Sequence, residues 1–196
     1  MLVLLAAGAS QRLGEPKALV DLGGQSPLSR LTAAGTSVCD EAPICIAGVH
    51  FEEILAAAPS GLEVIQHTGW SAGRTSSIQA AQRARPERDL LIAPVDVPLV
   101  PPAVFESLRV AWQAAGSPAR GWLAPFVRVA DKNCMGHPIL IGRELASELM
   151  SLKPDEPLRN LRNRAEPLLR VEVQSKRILD DLDTPQDLKN LRTLFV

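Results

Sequence analysis

Four short strand-like runs recur in the first hundred residues, three of them built on unbroken apolar stretches, and each is followed by a stretch of helical character. Leu2–Ala7, Pro43–Val49, Leu62–Thr68 and Asp89–Asp96 read as strands. Apolar runs without polar alternation are what a strand covered on both faces requires. Ser26–Val38 opens with Ser then Pro, an N-cap and first-turn signature of a helix. Phe51–Ala58 is helical up to Pro59, Arg74–Ala84 follows the turn at Gly73, and Pro101–Ala115 carries proline in its first turn. This βαβαβαβα rhythm predicts an α/β fold with a mostly parallel sheet and helices on both faces. Beyond Ala115 the rhythm loosens. Strands are expected at Gly121–Ala130, His137–Ile141 and Leu168–Gln174, and helices over Arg143–Met150, Leu158–Asn163 and Thr184–Phe195, which adds a small antiparallel portion in the C-terminal half. Ligands of such sheets bind beyond the carboxyl ends of strands, so the chemistry is expected after Ala7, after Thr68 and after Val95.

Length and charge narrow the partners. The 196 residues suit a single domain, 1–196, with a full apolar core. A formal net charge of −1 selects neither nucleic acid nor an anionic membrane surface. No apolar run approaches the roughly 18 residues a membrane span needs. Met1–Ala7 has no basic residue ahead of it and reads as a core strand rather than a secretory leader. Cys39, Cys45 and Cys134 are odd in number and lack zinc or redox spacing, so unpaired thiols and a cytoplasmic setting are expected.

The segment Leu4–Lys17, LLAAGASQRLGEPK, follows the first strand. It fits neither standard phosphate-loop pattern: Gly8 and Gly14 are six apart, Glu15 stands where Lys would follow, and position 10 is Ser rather than the second glycine of a dinucleotide fingerprint. The physical logic of an anion loop is nevertheless present. Small residues from Ala6 to Ser10 let a ligand approach the backbone N–H groups, Arg12 can fork onto a phosphate, and Lys17 supplies a point charge. The plainer alternative is a surface loop with two solvated cations.

The order of residues in LAAGASQRLGEPK resembles the L-A-A-G-x-S-x-R-M-G-x-x-K signature of the molybdopterin nucleotidyltransferase group, MobA-like NTP transferases of Rossmann-like (GT-A-like), three-layer fold. Leu13 for methionine is the one departure, an apolar swap of similar volume. The resemblance implies that the backbone of Ala7, Gly8, Ala9 and Ser10, with Arg12, binds the β- and γ-phosphates of an NTP, that Leu5 and Ala6 also belong to the nucleotide site, and that Lys17 sits near the α-phosphate. Three further stretches follow in family order. GWSAGRTSSIQAA (Gly69–Ala81) resembles the W-x-x-G-x-x-x-S segment that contacts base and ribose, with Gly73, Ser76 and Ser77 as candidates; by itself it is also an ordinary helix start. APVDVPLV (Ala93–Val100) resembles the family's D-x-P motif, which makes Asp96 a ligand of Mg²⁺, the implied cofactor. Read alone, Asp96 also suits the cap of a helix. LDDLDTPQDL (Leu179–Leu188) resembles the D-I-D-T-P-E-D-L ending, with Asp183 as the second metal ligand and Asp181 a neighbour acting through water. These acids equally suit a helix N-terminus. MGHPILI (Met135–Ile141) resembles the acceptor-side G-x-P-x-L segment and places His137 at an acceptor phosphate.

The resemblance implies nucleotidyl transfer: an NTP, CTP by the GRTSS and GHP features, gives its NMP to a phosphate-bearing acceptor such as molybdopterin, with release of pyrophosphate and a molybdoenzyme as the downstream partner. Guanylyl transfer, a sugar-phosphate acceptor and a methylerythritol-phosphate acceptor belong to the same scaffold. A non-catalytic nucleotide-binding partner of a molybdoenzyme would not require Lys17, Asp96 and Asp183 together. A glycosyltransferase of this fold usually carries Asp-x-Asp where this strand ends Val95-Asp96-Val97.

Overall fold

The structure is a computed structural model and describes residues 1–195. In chain order its elements are β1 (Leu2–Ala6), α1 (Pro27–Thr36), β2 (Ile44–Ala47), α2 (Phe51–Ala56), β3 (Glu63–Gln66), α3 (Arg74–Ala84), β4 (Leu90–Pro94), α4 (Pro102–Ala114), β5 (Trp122–Val129), β6 (Lys132–Met135), β7 (Ile139–Ile141), α5 (Arg143–Ser147), α6 (Arg159–Arg162), β8 (Leu168–Glu172) and α7 (Pro185–Arg192). One mixed sheet runs β3-β2-β1-β4-β7-β5-β6, with β8 paired to the remaining side of β5. The pairs β2–β3, β1–β2, β1–β4 and β5–β8 are parallel, whereas β7 is antiparallel to both β4 and β5. β7 is therefore the reversed strand inside the sheet, and β6, antiparallel to β5, is the reversed strand at its edge.

The unbroken apolar runs are explained by two cores, one on each face. Leu2, Leu4 and Ala6 of β1 point into a core built with α1, α2 and α4, and Val3 points into one built with α3, α5 and α6. Phe105 of α4 is fully buried in the first core, a burial worth about 1.5–3 kcal/mol. Ser26 caps α1 as its spacing to Pro27 implies, its hydroxyl accepting from the Ser29 N–H at 3.2 Å.

Three features depart from expectation. β6 was absent from the sequence reading because its KNCM run is mostly exposed and carries no apolar pattern. It is specified instead by the turn before it, where Ala130 (φ 45°) and Asp131 (φ 63°) both adopt left-handed backbone, the geometry of a two-residue hairpin turn. The helix expected over Arg143–Met150 divides into α5 and a tighter 3₁₀ turn over Glu148–Ser151. The last helix ends at Arg192 and continues as a 3₁₀ turn.

Two joints position the functional end of the sheet. The Leu182 N–H donates to the Asp96 carbonyl at 2.9 Å, tying the segment before α7 to the end of β4. Leu13, Val20 and Leu22 of the opening loop region form a third apolar cluster with Leu182, Leu188 and Leu191. At the opposite end, the Asp89 carboxylate accepts from the Trp112 indole N–H and from the Arg143 backbone N–H, each at 2.9 Å, joining β4, α4 and α5. Asp89→Ala strands both donors and is expected to cost about 2 kcal/mol of unfolding free energy, read as a lower urea midpoint with unchanged slope.

Candidate active site

The opening loop is folded by one residue. Ser10 has φ 52°, its carbonyl accepts from the N–H groups of Leu13 and Gly14 at 3.0 Å each, and its hydroxyl accepts from the Lys17 N–H at 3.1 Å. Among the described residues, the N–H groups of Gly8, Ala9 and Ser10 donate to no protein acceptor, which leaves a cluster of donors suited to an anion. The loop crosses the end of β2 at Gly48, where a Cβ would collide with the Ala7 carbonyl and lie 2.8 Å from Trp70. His50, between the Glu53 carboxylate (2.9 Å) and the Ala9 carbonyl (3.4 Å), braces the same loop.

This loop walls a cavity of about 370 Å³ at the carboxyl ends of β1 and β4. Leu5, Ala6, Ala7, Gly8, Ser10, Arg12, Lys17, Gly73, Ser77, Asp96 and Asp183 all line it, and Ala9 lines its shallow extension. The wall residues that sequence reading missed include His50, Trp70 and Arg74. Trp70 was visible as the aromatic of the GWSAG stretch, but nothing in the sequence distinguishes a wall indole from a core one.

Ser76 is not on the wall. It is buried, its hydroxyl donates to the Gly73 carbonyl at 2.6 Å, and it lies 2.8 Å from His67 Nε2. With the hydroxyl proton committed to Gly73, His67 Nε2–H is the donor of the second bond. Ser76 therefore shapes the turn that presents Gly73 and Ser77 and does not itself face the cavity. Burial, with a smaller contribution from Arg83, pushes the His67 pKa down.

Asp183 carries the densest electrostatics. Its carboxylate accepts from Arg12 at 2.6 Å and also pairs with Lys17. The Lys17 hydrogen bond, followed by the charges of Lys17 and Arg12, holds its pKa below the ordinary carboxylate range despite partial burial. The acid is aimed by a capping box. The Thr184 hydroxyl accepts from the Asp187 N–H at 3.2 Å, and Asp187 accepts from the backbone N–H groups of Thr184 (2.7 Å) and Asp183 (3.0 Å). Asp181 and Asp183 flank the buried Leu182, so in this extended segment they share a face. Burial pushes the Asp181 pKa up, reinforced by the charges of Asp96 and Asp183. Asp96 is 3.5 Å from Arg74.

The expectation that Asp183 is the second metal ligand thus meets a carboxylate whose oxygens already serve two cations. Asp181 is the acid whose pKa the Asp96 charge helps to raise. Among the described residues no three His, Cys, Asp or Glu side chains form a metal cage. A pair of carboxylates suits a hard divalent ion that takes its remaining ligands from water and substrate phosphate.

His137 lies in an adjoining cavity of about 450 Å³ that shares Leu5, Arg74 and Pro94 with the first. Its N–H donates to the Ile178 carbonyl at 3.2 Å, and its Nδ1 is sealed from solvent without a partner. Burial lowers its pKa, opposed by the Asp96 charge and assisted by Arg74.

Residues 2–169 match the model of the MobA-like NTP transferase domain. The chain belongs to this family of nucleotidyltransferases. A MobA-like relative, the molybdenum cofactor guanylyltransferase of Rhizobium meliloti, is 32% identical over 123 residues, covering 58% of this chain and 53% of that protein. The chain thus spans about half the length of the curated relative it matches. Among solved structures, a manganese complex of Rv0371c from Mycobacterium tuberculosis superposes with a TM-score of 0.76 at 25% identity, over 98% of this chain and 97% of that one. A nucleotidyl transferase from a Methanothermobacter species superposes at 0.75 and 21% identity, over 99% and 96%, and shows the shared fold. Within the described residues, no helix is long and apolar enough to cross a membrane.

Two outcomes follow from the turn before α3. Gly73 has φ 134°, and a Cβ there would lie 2.6 Å from the Pro154 carbonyl and 2.7 Å from Asp155 Cα. Gly73→Ala is therefore expected to lose about 2–3 kcal/mol in thermal unfolding and to weaken nucleotide binding. His67 and His137 both have folded pKa values below 6.5. Above 6.5 both folded and unfolded chains hold them neutral, and as pH falls below it the unfolded chain takes up protons the folded one resists. The melting temperature is expected to drop as pH falls below about 6.5, with a shallower drop in His67→Gln.

Proposed function

We propose that this protein is a single-domain, Mg²⁺-dependent nucleotidyltransferase that moves the NMP of an NTP, CTP in the first instance, onto the phosphate of a molybdopterin-type acceptor and releases pyrophosphate. The observation that carries the reading is the convergence of Arg12, Lys17 and Arg74 with Asp96 and Asp183 around one cavity floored by unpartnered backbone N–H groups, with Asp181 near enough to feel the charges of both acids. Cations held by carboxylates beside free donors are arranged to exchange those carboxylates for phosphate oxygens.

In this mechanism the triphosphate lies on the loop from Ala7 to Ser10. Arg12 turns from Asp183 to the β- and γ-phosphates, and Lys17 turns to the α-phosphate. The acceptor's phosphate oxygen attacks the α-phosphorus in line, one new P–O bond forms, and the bond to the β-phosphate oxygen breaks. A phosphate dianion needs no general base, so catalysis consists of positioning and charge stabilisation. Once Arg12 and Lys17 turn to the phosphates, Asp96 and Asp183 would hold the Mg²⁺, which would neutralise charge on the phosphate oxygens, with Asp181 acting through water. The manganese complex of the Mycobacterium structure supports a divalent ion in this fold. Gly73, Ser77 and Trp70 face the base and ribose. His137 and Arg74 face the acceptor phosphate.

A second reading exchanges CTP for GTP, and the Rhizobium guanylyltransferase match favours it. In either case the product would be delivered to a molybdoenzyme. Pyrophosphate release from CTP, GTP, ATP and UTP, each with molybdopterin and with common phosphomonoesters, tests both. Lys17→Ala is expected to lower kcat by about 10²–10³ with a smaller change in NTP affinity. Asp96→Ala is expected to abolish turnover while its melting profile stays close to that of the parent. Turnover by Asp96→Ala at the parent rate would remove the metal assignment. Asp183→Asn is expected to raise the half-saturating Mg²⁺ more than Asp181→Asn does, and the reverse order would make Asp181 the ligand.

A further inference from the structure

The cavity beside the nucleotide site has a wall that the proposed transfer does not use. Its floor is apolar, with Ile78, Ile92, Trp122 and Ile139 from the second core. Two large apolar side chains at its edge, Met135 (40% exposed) and Leu168 (45% exposed), lie open to solvent. Three arginines complete the wall: Arg159 and Arg162 at the two ends of α6, and Arg170 on β8. Among the described residues no carboxylate lies within ion-pair distance of any of the three, whereas Arg164, two positions from Arg162, is held by Glu148 at 3.4 Å. Two acids share the cavity, Asp155 and Glu156. The Glu156 carboxylate is occupied by the Lys153 N–H at 3.1 Å and the Asn160 amide at 2.8 Å.

This wall is anchored. The Thr75 hydroxyl donates to the Glu156 carbonyl at 2.6 Å, the Ser76 N–H to the Pro154 carbonyl at 3.0 Å, and the Gln79 amide to the carbonyls of Leu149 and Leu152 at 2.9 Å each. α3 thus holds the segment leading into α6, and Leu161 between the two arginines is fully buried. Strand alternation puts Arg170 on the same face of β8 as Leu168. Three unpaired guanidiniums on separate, braced elements around an apolar hollow match an anion carried on an apolar body. The hollow adjoins the nucleotide cavity, with Leu5, Arg74 and Pro94 lining both, and its size suits a small-molecule ligand.

We propose that this cavity receives an acceptor bearing two anionic ends joined by an apolar body: the phosphate that reacts, near Arg74 and His137, and a second anionic group bound by Arg159, Arg162 and Arg170. The proposal rests on the transferase reading of these joined cavities, and its test separates the two. Nucleotide binding is read first, with non-transferable α,β-methylene CTP and GTP in the presence of Mg²⁺. Failure there counts against the transferase reading and leaves the second cavity still measurable by itself.

Phenyl phosphate and 4-carboxyphenyl phosphate are then titrated into the protein by calorimetry, with and without the methylene nucleotide. The carboxylated probe is expected to bind about tenfold more tightly, and Arg159→Gln/Arg162→Gln/Arg170→Gln is expected to remove the difference while leaving methylene-nucleotide affinity unchanged. Unchanged nucleotide affinity also shows that the variant is folded. Should the triple variant lose its fold, Arg170→Gln alone is expected to at least halve the preference. A parent preference below about threefold, or a triple variant that keeps more than about threefold, overturns the second anionic subsite. So does an Arg170→Gln variant with undiminished preference, where the triple variant does not fold.

Discussion

The site is assembled by a joint between segments far apart in the chain. The Leu182 N–H bonds to the Asp96 carbonyl at 2.9 Å, and the side chains on either side of Leu182 are the two aspartates that meet the rest of the charge. Leu182 itself points away, into the small apolar cluster that also grips the opening loop through Leu13. One residue thus fixes the backbone register, supplies the buried contact and sets which face its neighbours present. Asp183 then bonds to Arg12 and Lys17, and its carboxylate draws the two cations to one point. In the proposed mechanism a phosphate oxygen would replace that carboxylate, so the cations would be ordered before a nucleotide arrives.

Much of this was legible in the residues. β1, β2 and β4 announce themselves because burial on both faces leaves no polar alternation to confuse the reading. The Thr184–Asp187 capping box is local chemistry and is written in four consecutive residues. Most loop positions singled out from LLAAGASQRLGEPK line one cavity because a tight loop after a strand has few other places to put them. The less legible parts depend on distant contacts. Ser76 and Ser77 are adjacent and chemically identical, and only the placement of His67 and Gly73 turns one inward. Asp181 and Asp183 share a face, and their different surroundings come from Lys17, more than 160 positions away. β6 has no apolar pattern, since its pairing is imposed by a turn whose residues lack glycine.

Arg74 occupies the border between the two cavities and is 3.5 Å from Asp96. It stands at the first position of α3, directly after a glycine whose backbone no other residue adopts comfortably. The strain-prone turn at Gly73 places one guanidinium where two phosphate-bearing molecules would meet. The same turn packs against the Pro154–Asp155 backbone, so the border residue and the second cavity's wall share a mechanical support.

The reversed direction of β7 has a separate result. Because β7 starts opposite Ile92, near the end of β4, the chain entering it brings Gly136 and His137 to the functional edge of the sheet. Gly136 is tied there by its N–H to the Pro125 carbonyl at 3.0 Å, and His137 by its N–H to the Ile178 carbonyl at 3.2 Å. The tip of the β5–β6 hairpin extends past Phe126, where the pairing with β8 ends, and the chain returns through β6 to this tether. Insertions or deletions at its tip would therefore change the reach of the hairpin without shifting His137. The fold leaves a projecting arm whose length can drift between related proteins while the reaction centre keeps its dimensions.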